Sequence, residues 1–231
     1  LLVRADSKLT LPEVQSLATA ISLSGGAILI SDDMSKLSAD RLWIARSLLP
    51  VLPPNPHVVD LFEKSTPSIL RQTLQTPAGE RQIIALFNWA DKPMDLELDL
   101  EAIGLEQKPQ LMREFWTGEW AEMAAGHVFR QVPAHGVRLA TLCPLQDAAY
   151  LGSDLHASQG LELKSWKKTR SKLTLELDLG REAEGRIFLY CSTIPKSVTV
   201  DKQEVYWIQE AENLISLPVS STGRTKVQVA L

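Results

Sequence analysis

Ser24-Gly-Gly-Ala-Ile-Leu-Ile-Ser-Asp-Asp33 sets a short apolar run, Ala27 to Ile30, between a glycine pair and two adjacent carboxylates. Helical patterns lie on both sides of it. Upstream, Thr10-Leu-Pro-Glu13 has the composition of a capping box, in which the Thr10 hydroxyl accepts from an early backbone N–H and Glu13 reaches back. Pro12 is compatible with that position because first-turn N–H groups have no intrahelical partner. Leu11, Val14, Leu17, Ala18 and Ile21 recur at helical spacing. Gly25-Gly26 then stops the helix by admitting positive φ. Downstream, Ser38 reads as the N-cap of a helix through about Leu49, with Leu42, Ile44, Ala45, Leu48 and Leu49 on its buried side. Helix, buried strand, polar mouth, helix is one repeat of an α/β barrel or an open α/β sheet.

Only one such repeat is legible. Pro50 and the cluster Pro53-Pro54-Asn55-Pro56 end the second helix and mark a boundary. Beyond it the apolar period changes from helical to two-residue alternation. Ile69–Thr76 and Gln82–Phe87 flank Pro77-Ala-Gly-Glu80, which predicts a hairpin with a four-residue loop. Met94, Leu96, Leu98 and Leu100 alternate with carboxylates. Further strands are expected near Leu111–Trp116, Gly126–Val132 and Gly136–Leu142, a spacing that argues for an antiparallel sandwich. After Pro144 a second set follows: Leu173–Leu179, Arg186–Cys191, Ser197–Val200, Val205–Ile208, Leu214–Pro218 and Lys226–Leu231. The predicted fold is mainly β with a small N-terminal α/β part, and the chain divides into residues 1–52, 57–143 and 150–231.

The net charge of −4 carries no basic excess, which argues against electrostatic binding to nucleic acid. No apolar run reaches the length that spans a bilayer. Cys143 and Cys191 stand alone in apolar strand contexts, so buried free thiols and a reducing, cytoplasmic setting are expected, with no disulfide framework and no metal spacing. His57, His127, His135 and His156 are scattered and give no zinc pattern.

Leu23-Ser-Gly-Gly-Ala-Ile-Leu-Ile-Ser-Asp-Asp-Met-Ser-Lys-Leu37, with Arg41 and Leu48-Leu-Pro50, resembles the end of the catalytic barrel in α-galactosidase-like glycoside hydrolases. Three downstream stretches are similar to that family's C-terminal sandwich: Ala85-Leu-Phe-Asn-Trp-Ala-Asp-Lys-Pro93, Phe115-Trp-Thr-Gly-Glu119 and Val132-Pro-Ala-His-Gly-Val-Arg-Leu139. The resemblance covers roughly residues 9–143 and is loose from Tyr150 onward. It implies that residues 1–52 are the last βα unit of a TIM-type (β/α)8 barrel, 57–143 a β-sandwich, and 150–231 a second β module. It also implies an intact retaining enzyme that cleaves terminal α-linked galactose or a related sugar without a cofactor. In the resembled family both catalytic carboxylates lie on earlier barrel strands, so the isolated chain is expected to be inactive.

Retaining glycosidases use two carboxyl groups about 5 Å apart. Asp32 and Asp33 are neighbours on an extended segment and point to opposite faces, so they do not converge on one glycosidic bond. At the end of a barrel strand they are candidates for a sugar contact at the pocket rim; the plainer alternative makes Asp33 a cap for the following turn. Among the tryptophans, Trp43, Trp89 and Trp116 are expected in the core, and Trp120 and Trp166 exposed. His135, between Pro133-Ala134 and Gly136, is expected to hold a turn through backbone carbonyls. Lys164–Arg170 reads as a solvated hairpin edge. Besides the hydrolase reading, a non-catalytic carbohydrate-binding or structural β-sandwich module remains open. In both readings the partner is carbohydrate.

Overall fold

The computed structural model describes residues 1–54 and 56–231. Asn55, within the proline cluster, lies outside the described residues. Helices α1 (Leu11–Ser24) and α2 (Ala39–Ser47) precede the strands β1 (His57–Val58), β2 (Ile69–Thr76), β3 (Gly79–Phe87), β4 (Met94–Asp99), β5 (Gln110–Glu114), β6 (Trp120–Met123), β7 (Gly126–Val132) and β8 (Val137–Pro144). There follow β9 (Ala148–Ser153), β10 (Leu163–Lys168), β11 (Lys172–Leu177), β12 (Ala183–Cys191), β13 (Ser197–Val200), β14 (Gln203–Glu204), β15 (Ile208–Ala211), β16 (Leu214–Ser221) and β17 (Thr225–Ala230).

The central layer is a sheet in the order β1-β2-β3-β8-β5-β6. One face, with Ile84, Leu86, Met112, Ala140 and Leu142, packs on the β4–β7 pair through Leu98, Phe129 and Val132. The opposite face, with Ile83, Ala85, Phe87, Phe115, Val137 and Leu139, packs on α1 and α2 through Val14, Ala18, Leu23, Ile44, Ala45 and Leu48. A strand covered on both sides has no polar side. Residues 83–87 of β3 are accordingly buried without interruption. A second sandwich follows, with sheet β15-β16-β12-β9 facing sheet β10-β11-β17-β13-β14 across Ile187, Leu189, Ile215, Leu217, Leu173, Leu175, Val227 and Val229. All strand pairs in these sheets are antiparallel.

Several expectations are corrected. The β2–β3 hairpin turns through Pro77-Ala78 alone, because Thr76 pairs with Gly79; the loop has two residues, not four. Val205, Tyr206 and Trp207 are not in a strand, and the neighbouring strand begins at Ile208. Strands β1, β6, β9 and β14 lie where none was expected, whereas the hairpin edge expected at Lys164–Arg170 is met by β10, the outermost strand of its sheet, paired with β11. Trp89 is not core: it lies past the end of β3 and is 42% exposed. Trp120 and Trp166 are half-buried instead of exposed, packed against the apolar clusters beneath them. The His135 ring meets the Asp91 carboxylate at 2.9 Å rather than backbone carbonyls. Trp43 does stack on Phe115 with ring centroids 5.2 Å apart. Both cysteines are buried free thiols.

Candidate functional site

The rim is built from the capped helix outward. Thr10 N donates to Glu13 Oε2 at 2.7 Å, and Glu13 N donates to the Thr10 hydroxyl, so the capping box is complete. Gly25 ends α1 at φ 64°, and a side chain there would collide with the backbone of Pro54. The face of α1 that meets the sheet includes Val14 and Ala18 but also Ser16 and Thr19, while Leu11 and Leu17 stay more than a third exposed. The polar pair is tied down: Ser16 Oγ donates to His135 O at 2.6 Å, and Trp116 Nε1 to Thr19 Oγ1 at 3.0 Å.

Residues 27–30 are extended but belong to none of the sheets. Their pairing is with the first residues of the chain: Leu1 N donates to Leu29 O at 2.7 Å, and Ser31 N donates to Leu1 O at 3.2 Å. One residue that donates before and accepts after its partner gives the register of a parallel bridge. Parallel neighbours need a long crossover, here α1. Leu1–Val3 and Ala27–Ser31 thus meet in a parallel register around α1, through two backbone hydrogen bonds and outside any regular strand. The Leu29 side chain is 76% exposed.

Asp32 and Asp33 leave the end of that segment in different directions. The Asp32 side chain is buried; Oδ2 accepts from the backbone N–H groups of Val3 and Arg4, and Oδ1 meets Arg4 Nη1 at 3.1 Å. It binds the end of one extended segment to the end of the other. Asp33 is half-exposed and caps the single 3-10 turn Met34–Lys36, accepting from Ser35 N at 3.1 Å and Ser35 Oγ at 2.6 Å, with Lys36 Nζ at 3.1 Å. The Ser35 hydroxyl first, then Lys36, holds its carboxyl below the usual carboxylate range. It is therefore anionic at neutral pH and unsuited to donate a proton to a leaving group. Both residues line an open depression of about 560 Å³ with Arg4, Asp6, Lys36 and Arg41. Its charges are balanced, three cations against three carboxylates.

A second polar centre escaped the sequence reading. Arg81 and Arg113 lie on the same strand faces as Ile83 and Leu111, and both are buried. Arg81 Nη2 donates to Leu151 O at 2.7 Å. Arg113 Nη1 donates to Gln159 Oε1 at 2.6 Å, Nη2 to Asp154 Oδ1 at 2.7 Å, and its guanidinium lies 3.9 Å over the Phe188 ring. Nearby, the Tyr150 hydroxyl donates to the buried Glu162 carboxylate at 2.6 Å. Burial, and then that carboxylate, raises the Tyr150 pKa well above the ordinary phenol value. The signal that could have found this centre is a charged residue in phase with a strand's apolar side, since such a group must have a partner. His156 is buried alongside. Its Nε2–H donates to Pro50 O at 2.8 Å and its Nδ1 accepts from Ser158 N at 3.1 Å, the neutral tautomer, and burial lowers its pKa. These contacts join the first sandwich, the second and the segment after α2. Among the described residues no group of three or more His, Cys, Asp or Glu side chains is placed to hold a metal ion. No helix among them is long and apolar enough to cross a membrane.

Residues 69–142 match the family described as the alpha galactosidase C-terminal beta sandwich domain. No curated protein matches the sequence. Among solved structures, the chain is similar to α-galactosidase I from Mortierella vinacea, at 14% identity and a TM-score of 0.52, over 62% of this chain and 38% of that one. It is also similar to a GH27 β-L-arabinopyranosidase from Geobacillus stearothermophilus in complex with arabinose, at 18% identity and a TM-score of 0.50, over 60% of this chain and 32% of that one. The chain spans about a third of the length of these proteins. At such identities the likeness is one of fold. The match at 69–142 makes the first sandwich of this chain consistent with the C-terminal region of an α-galactosidase-like enzyme.

Proposed function

We propose that this chain is the C-terminal, non-catalytic portion of an α-galactosidase-like glycoside hydrolase. Residues 1–52 supply the closing stave and helix of its catalytic barrel, 57–143 the C-terminal sandwich and 150–231 a second β module. The intact enzyme would release terminal α-linked galactose, or a related sugar, by a retaining double displacement that needs two carboxylates. One observation carries this reading above the others. The parallel bridge between Leu1 and Leu29–Ser31 is closed over α1, and α1 packs on a sheet of the family's sandwich. Barrel enzymes place substrate at the C-terminal ends of their staves. Asp32 and Asp33 stand at that end, and the balanced charge of the depression suits a neutral sugar. Asp32 is committed to backbone donors and Asp33 to a turn, so both support the rim while the chemistry falls to carboxylates elsewhere.

The coding sequence upstream of Leu1 tests the proposal. The expected finding is a series of βα repeats with an Asp at each of two strand ends, and turnover of an aryl α-galactoside by the encoded protein. An upstream region lacking βα repeats overturns it.

A further inference from the structure

We propose that Trp89 is the platform of a saccharide-binding site on the first sandwich, separate from the barrel rim and aimed at neutral pyranosides. Trp89 was expected in the core, and its actual setting is that of a fixed, outward-facing plane. Its inner face lies on buried Phe87, with ring centroids 4.9 Å apart and an interplanar angle of 3°. Its Nε1–H donates to Pro67 O at 2.8 Å. The preceding residue, Asn88, is buried and holds the loop from both ends of its amide: Nδ2 donates to Lys92 O at 3.0 Å and Pro133 O at 2.8 Å, and Oδ1 accepts from Ala90 N at 2.9 Å. The indole is thus immobilised before any ligand arrives, which lowers the ordering cost of binding.

The stacked Trp89 and Phe87 together line an open depression of about 560 Å³, within the range of small-molecule sites, with Met94, Leu96, Ser65 and Thr66. A pyranose ring presents an apolar C–H face and an equatorial hydroxyl edge. The first matches the indole and Met94; the second matches the Ser65 and Thr66 hydroxyls, which have no hydrogen bond among the described residues. Charge selects the ligand class. The one charged lining residue, Lys64, is already engaged with Asp60 at 3.2 Å and with Ser68 Oγ at 2.7 Å. The depression has no free charge for a phosphate, a uronate or an ammonium group, and a neutral sugar meets it without an unpaired ion.

The test is titration of the chain with methyl α-D-galactopyranoside, methyl α-D-glucopyranoside and galacturonate, followed by the indole N–H resonances. At least one neutral glycoside should move the Trp89 signal saturably, with galacturonate weaker. Trp89→Ala should bind about tenfold more weakly, and Trp89→Phe, which keeps a plane on Phe87, should fall between. Thermal unfolding identifies a variant that fails to fold, and the Phe variant then carries the comparison. Three results overturn the proposal: no saturable shift with either neutral glycoside, shifts confined to other tryptophans, or equal affinity in wild type and Trp89→Phe or Trp89→Ala. Self-association abolished by Trp89→Ala, without glycoside binding, would make the patch a protein interface and overturns it as well.

Discussion

Asp60 illustrates how much a single carboxylate can organise at the residue scale. It lies buried after β1 and accepts from Ser68 N, Ser68 Oγ and Ile69 N, with Lys64 Nζ at 3.2 Å. Burial works against its ionisation, but the Ser68 hydroxyl, the two backbone donors and Lys64 outweigh it and bring its pKa down to about 2. A depressed folded-state value means the unfolded chain binds the proton more readily. The resulting stability, about 2 kcal/mol, is present above pH 4 and is lost as pH falls toward 2. Asp60→Asn should be less stable than wild type at neutral pH, with the difference shrinking between pH 4 and 2; chemical denaturation across that range measures it. A constant difference would contradict the assignment. None of this was legible in the sequence, because Asp60 meets Ser68 across an irregular loop that follows no spacing rule. The capping box of Thr10 and Glu13 was legible, since it depends on a fixed three-residue offset. The tryptophans mark the same divide: a strand motif does not reveal that Trp89 lies past the end of β3 with one face uncovered.

At the scale of elements, the junction of the two sandwiches is held by charge as well as apolar packing. Arg113 reaches from β5 to Asp154 and Gln159, and Arg181 caps the end of α2 by donating to Arg46 O and Leu49 O, each at 2.9 Å. Burial lowers the Arg113 pKa, and the Asp154 charge works against that shift. Removing the two partners should therefore have unequal effects. Asp154→Ala leaves a guanidinium buried without its counter-charge and should destabilise by about 3 kcal/mol. Arg113→Met removes the buried charge, leaves Asp154 partly solvated, and should cost less. Equal losses in paired denaturation curves would contradict this. Period-two alternation located β2, β7 and β13 to the residue. It missed β9, buried along its whole length, and β6, which has four residues. Val205–Tyr206–Trp207 has strand-like composition but lies between β14 and β15 outside any ladder. Length and burial do not decide which strands were missed, since β13 also has four residues and β3 is buried from 83 to 87; both carry β-branched residues, whereas β9 (Ala-Ala-Tyr-Leu-Gly-Ser) and β6 (Trp-Ala-Glu-Met) have none.

The molecule as a whole has a layered order: α1 and α2 on one face of the central sheet, the β4–β7 pair on the other, and a second sandwich locked alongside. The helices on either side of Ser24–Asp33 were legible, but the buried strand expected at Ala27–Ile30 is not found: these residues join no sheet, and Ala27 and Leu29 are exposed. Their pairing partner, Leu1–Val3, was not legible, because three residues carry no period. On the proposed reading Asp32 and Asp33 belong to the barrel rim, yet the hydrogen bonds of both are committed to structure. A chain so built should shape a hydrolase without performing hydrolysis. The most direct measurement is the release of the aryl group from an aryl α-galactoside by the purified isolated chain. The account expects no turnover above the uncatalysed rate from pH 4 to 8. Saturable turnover that co-elutes with the folded chain and is abolished by Asp33→Asn would contradict it, because the catalytic carboxylates would then lie within these residues.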